Sequence, residues 1–144
     1  MTLLLAQPEL QQHLIEAGSR QRYRRKDFLF HRGDPVGGVF LILSGEVRLG
    51  LDKNPANFPS RDFGPGTVLG LPATLSDSPY SLTAEVIADA EVAYVSRSDM
   101  LELLRQHSKL CLEVMNLLSE ELAGTRIALT RTRKVRARPK LVGT

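Results

Sequence analysis

With 144 residues, 42% of them hydrophobic and 24% charged, the chain is long enough to bury one core and too apolar to stay disordered. Its single cysteine, Cys111, excludes an internal disulfide framework and a multi-cysteine metal or iron–sulfur site. The net charge of +3 hides an asymmetry: residues 126–144 hold seven basic side chains and no acid, leaving 12 basic against 16 acidic in residues 1–125.

The opening MTLLLAQPEL lacks the basic flank of a signal peptide, and no run approaches the ~20 apolar residues that span a bilayer. The expectation is a cytoplasmic protein with no membrane partner. Leu10, Leu14 and Ile15 lie at helical spacing between Pro8 and Gly18, which predicts an N-terminal helix. A basic run follows at Arg20, Arg22, Arg24, Arg25 and Lys26, a pattern that usually marks a solvated face.

The period then falls to two, and strands are predicted at Phe28–His31, Val39–Leu43, Val47–Leu51, Val68–Leu69, Leu82–Ala88 and Val92–Ser96. Turn residues separate them at Gly33–Pro35, Ser44–Gly45, Lys53–Pro59 and Gly64–Gly66. Six short strands at this spacing indicate an antiparallel barrel or jelly roll. Ile42–Leu49 reads as a tight hairpin with Gly45 in its turn.

From Ser96 the period is helical. Ser96 and Asp99 have capping-box spacing for a helix to about Gln106, and Ser108 can cap a second one. That long C-terminal helix, at about 108–132, carries two apolar stripes. Leu110, Val114 and Leu117 form the one expected to pack on the body. Cys111, Met115, Leu118, Leu122, Thr125 and Leu129 step by three and four like a coiled-coil seam, which predicts a homodimer. The basic tail, 131–144, offers Arg131–Lys140 to nucleic-acid phosphates in a weak, sequence-independent contact.

Residues Phe63–Val86, with Phe30–Asp34 ("F-x-x-G-D") and Ile42–Val47 ("I-L-S-G-E-V") before them, resemble the cyclic-nucleotide-binding domain family in its Crp–Fnr regulator branch. The similarity runs over roughly residues 10–130. It implies a mainly β effector domain: an antiparallel double-stranded β-helix (jelly roll) with an N-terminal helix and a long C-terminal one. In that family a Gly-Glu pair holds the ribose, and an Arg followed by a small hydroxyl residue holds the cyclic phosphate. The frame persists here as Gly66, Gly70, Ala73 and Ser81, but Leu71 stands at the Glu position and Tyr80 at the Arg position.

The resemblance places the pocket at Gly70, Leu71, Pro72, Ala73, Tyr80, Ser81 and Thr83, with Thr125 near the family's base-contacting threonine and Arg126 beside it. Residues 64–88 contain no Lys or Arg, Leu71 accepts no hydrogen bond, and Pro72 removes a backbone donor. A buried phosphate without a charge partner costs several kcal/mol. The chain is therefore read as a regulatory module that takes a small effector other than cyclic AMP, or none. The alternatives are a divergent cyclic-AMP domain and a nucleic-acid-binding tail.

The family's regulators continue into a helix-turn-helix domain beyond about residue 135, for which 144 residues leave no room. The expectation is thus either a stand-alone sensor domain or the sensory half of a longer regulator. No cofactor is expected: the only imidazoles, His13, His31 and His107, are ordinary strand and helix residues in this pattern, which argues against haem. No carboxylate pair, Ser–His–acid order or metal-ligand spacing points to an enzyme.

Overall fold

The computed structural model describes residues 5–51 and 60–119. Helix α1 (Pro8–Ala17) opens on its proline, whose missing N–H costs nothing at a first helical position. The strands are β1 (Ser19–Tyr23), β2 (Phe28–Phe30), β3 (Gly38–Gly50), β4 (Arg61–Phe63), β5 (Val68–Leu69) and β6 (Thr83–Ser96). A short helix α2 (Leu71–Ser76) precedes β6, and α3 (Arg97–Gln106) follows it. Residues 108–119 are helical and are called α4 here.

All six strands form one antiparallel sheet in the order β1-β6-β3-β4, with β2 also on β6 and β5 also on β3. The long strands β3 and β6 pair from Gly38↔Ser96 to Gly50↔Thr83 and bend together where the register slips between Ile42 and Val47. Each half then serves a different neighbour. The first half of β3 pairs β5 and the second β4, while β6 pairs β2 and then β1. This is the expected mainly β roll with flanking helices.

The hairpin expected at Ile42–Leu49 is instead the bend within β3. Gly45 has φ 89°, as the hairpin argument required, but a Cβ there would lie 2.3 Å from the Asp89 carbonyl oxygen of the facing strand. The glycine makes a bulge possible where two strands cross closely, not a chain reversal. Likewise the strands expected at Leu82–Ala88 and Val92–Ser96 fall in one strand, β6, because Ala90 and Glu91 stay paired, to Tyr23 and to Ser44, through the stretch between them. The chain also uses β1, β4 and α2, which periodicity did not reveal. Strand β1 reads SRQRY and buries none of its residues fully, so no apolar alternation announces it.

Alternation across the sheet divides the core in two. Val39, Leu41, Ala93 and Val95 face α1, α3 and α4, joining Leu10, Leu14, Met100, Leu110 and Val114. Phe40, Ile42 and Val92 face the inside of the roll with Phe30, Val47, Phe63, Tyr80 and Val86. Ser96 caps α3, its hydroxyl accepting from the Asp99 N–H at 3.2 Å. Ser108 does not cap α4: the helix begins on it, and the His107 carbonyl takes the Leu110 N–H at 2.9 Å.

On α4, Leu110, Val114 and Leu117 are buried as expected. Of the second stripe, Cys111 is half-buried, Leu118 packs partly on the helix-side core, and Met115 is 59% exposed. Leu122, Thr125, Arg126, Leu129 and the basic tail Arg131–Lys140 lie outside the described residues. No helix among the described residues is long and apolar enough to cross a membrane.

Candidate functional site

The cassette is assembled around Tyr80. The "F-x-x-G-D" turn holds its backbone: the Gly33 N–H donates to the Tyr80 carbonyl at 2.8 Å, and the Tyr80 N–H donates to the Asp34 carbonyl at 3.1 Å. Asp34 is a turn former, its carboxylate accepting from the His31 N–H at 3.0 Å. The ring of Tyr80 lies flat on Phe30, with centroids 3.9 Å apart and planes 11° from parallel. Its hydroxyl donates to the Gly38 carbonyl at 2.7 Å and accepts from the Gly37 and Gly38 N–H groups at 3.2 Å each. A phenol hydroxyl has one proton and two lone pairs, so this one is fully used.

Gly70 begins α2 with φ 86°, and a Cβ there would stand 3.0 Å from Tyr80 Cε1 and 3.1 Å from the Gly38 oxygen. Glycine is therefore needed twice over, for the left-handed backbone and for the close approach of the ring. Thr74 and Ser76 turn their hydroxyls back onto the Gly70 and Pro72 carbonyls, both at 2.8 Å. Arg97 reaches α2 from the far end, donating from Nε to the Thr74 carbonyl at 2.8 Å and lying 3.8 Å from Asp77. A cation at that end satisfies a terminal carbonyl and the helix dipole. It is engaged away from the cavity.

Gly70, Pro72, Ala73, Tyr80 and Ser81 line one cavity with Phe30, Leu49 and Leu82. Its volume is about 30 Å³. That is room for about one water, far below the ~300 Å³ at which ligand pockets begin. Leu71 and Thr83 are not in its lining. Leu71 is 2% exposed and packs with the helix-side core, and the Thr83 hydroxyl accepts from the Arg32 N–H at 2.9 Å. An open, polar depression of about 300 Å³ lies elsewhere, lined by Leu5, Arg61–Pro65 and Thr67 and by none of the expected pocket residues.

Burial first, then the neighbouring Tyr80, pushes the Tyr94 phenol above its ordinary pKa, and burial first raises that of Tyr23 too. Below about pH 10 folded and unfolded chains both keep these protons and the contribution to stability is intact. Above it the unfolded chain ionises first, so stability should fall as pH rises through the folded values. Melting curves from pH 8.5 to 11 should show that fall, and Tyr23→Phe with Tyr94→Phe should lessen it. An unchanged profile in the double variant would assign the loss to other groups.

None of the three histidines lines the cassette. His13 packs on His107 with ring centroids 4.3 Å apart, and His31 stacks on Phe28 at 4.4 Å. Among the described residues no three His, Cys, Asp or Glu side chains are grouped to hold a metal ion.

A bent antiparallel roll, a glycine-opened short helix before β6 and a helix pair at the end define the effector-domain fold of Crp–Fnr-type regulators. Residues 20–107 match the model of the cyclic nucleotide-binding domain, and the chain belongs to that family. The catabolite activator protein of Thermus thermophilus superposes with a TM-score of 0.71 at 25% identity, over 86% of this chain and 59% of that one. A transcriptional regulator of Thermotoga maritima shares the fold at a TM-score of 0.69 and 14% identity, over 89% of this chain and 98% of that one. Among curated proteins, a lysophospholipase of Neosartorya fischeri is 25% identical over 117 residues, which are 80% of this chain and 8% of that protein. The chain thus spans a small part of the curated relative.

Proposed function

We propose that this domain is a non-enzymatic regulatory module whose cassette does not bind cyclic AMP in the family's charge-paired manner. The observation that carries the reading is Tyr80. The resemblance puts it at the position of the family's phosphate-binding arginine, and it is 5% exposed with its hydroxyl fully hydrogen-bonded inside the protein. The only charges in residues 64–88 are Asp77 and Glu85, both of the wrong sign for a phosphate. The similarity to the lysophospholipase covers only 8% of that protein, so its activity is not carried over to this chain. The module acts as a homodimer through the outer face of α4, a reading supported by the exposure of Leu112 and Met115.

Isothermal titration with cyclic AMP tests the central point. No heat, or a dissociation constant weaker than about 100 μM, is expected, corresponding to less than about 5.5 kcal/mol of binding. Sub-micromolar binding would overturn the reading in favour of a divergent cyclic-nucleotide domain.

A further inference from the structure

We infer that the cassette contains a phenol-recognition subsite and that Tyr80 is its resident, covalently tethered occupant. The parts of the subsite are contributed by other residues. The Gly37 and Gly38 N–H groups and the Gly38 carbonyl converge on a single hydroxyl, at 3.2, 3.2 and 2.7 Å. The Phe30 ring supplies a flat apolar face 3.9 Å below, and Gly70 opens the edge by lacking a side chain.

Two donors and one acceptor aimed at one point match a neutral hydroxyl. A carboxylate or phosphate would meet the Gly38 carbonyl oxygen with like charge, and an ammonium would meet two N–H donors. The stacked face selects a planar ring. The chemistry that fits is therefore a small uncharged phenol, and Tyr80 satisfies all of it from within the chain. Only about 30 Å³ remains beside the ring. A free phenol can enter only by displacing the tethered one, whose effective concentration is of the order of millimolar or above.

This inference rests on the reading that no cyclic nucleotide fills the cassette, and the cyclic-AMP titration tests that point separately. Sub-micromolar cyclic-AMP binding would overturn that reading, whereas the melts below report on the subsite alone, so the two failures are distinguishable.

The experiment uses the full chain with Tyr80→Ala, which should leave a ring-sized apolar cavity with a hydrogen-bonding end. Thermal melts with p-cresol, the deleted hydroxyphenyl group carrying one methyl, should show a concentration-dependent rise in Tm. Toluene, lacking only the hydroxyl, should bind at least tenfold more weakly. The wild type should not respond to p-cresol at the same concentrations. Equal stabilisation by toluene, an equal response of the wild type, or no response of the variant would each overturn the inference.

If Tyr80→Ala does not fold alone, it should regain its native circular dichroism when refolded in p-cresol, and failure to do so counts against the subsite. Tyr80→Phe keeps the ring and loses the hydroxyl. It should not bind p-cresol, and its Gly38 amide should exchange at least tenfold faster than in the wild type. Unchanged exchange would show that the hydroxyl does not hold this segment.

Discussion

Replacing Leu71 with glutamate should destabilise the domain by about 3–5 kcal/mol and should not create a ribose site. From the resemblance alone, a glutamate at this position restores the family's residue. The fold gives the position a different environment. Leu71 is 2% exposed and packs in the core shared by α1, α3, α4 and the outer face of the sheet, with Leu10, Leu14, Val39 and Met100 among its companions. Gly70 and Pro72, on either side of it, line the cassette cavity instead. A carboxylate here loses the packing of the leucine and gains no hydrogen-bond donor, so it would take up a proton in preference to being buried as an anion.

The sign of the pH dependence follows. The folded-state pKa of the new carboxyl is raised above its unfolded value near ~4.3, so the variant is least penalised below that value and loses stability as pH rises towards neutrality. Chemical denaturation at pH 4.5 and 7 should therefore show a smaller gap from the wild type at the lower pH. A variant as stable as the wild type at pH 7, or one that binds cyclic AMP when Tyr80→Arg is added, would mean that residue 71 faces the pocket.

The helices and the buried strands were legible because their side chains announce them. Leu10 and Leu14 carry α1, Val39–Ile42 alternate between two cores, and Leu110, Val114 and Leu117 mark the inner face of α4. Strand β1 was not legible, since Ser19–Tyr23 owes its conformation to pairing with Ala90–Tyr94 and to no pattern of its own. The same holds for Gly45. A glycine with positive φ serves a hairpin or a bulge equally, and only the facing Asp89 decides between them. In the cassette, the sequence showed that charge was missing at Tyr80 and not what filled the place. The stack on Phe30 joins residues 50 positions apart, and the Gly37–Gly38 acceptor is a backbone feature with no side-chain signature.

Met115→Arg should convert a dimer into a folded monomer, weakening association by ~100-fold or more. The inner stripe of helix α4, Leu110, Val114 and Leu117, is buried; of the expected seam Cys111 and Leu118 are half-buried and Met115 is 59% exposed, and Leu112, outside that seam, is 67% exposed beside it. Two large apolar side chains three apart lie side by side on one helix face, which is the spacing at which a partner helix can cover both. Leu118, although on the same seam, is a poor probe, because it packs partly on the helix-side core and an arginine there would damage the monomer. Met115 has no such role, so a charge placed on it should act on the interface alone, where a desolvated cation without a partner costs several kcal/mol. Light scattering at tens of micromolar should report twice the chain mass for the wild type and one chain mass for the variant, with equal circular dichroism and melting temperature. A wild type that is monomeric at those concentrations would end the dimer reading. A variant that remains dimeric would move the interface off this face of α4.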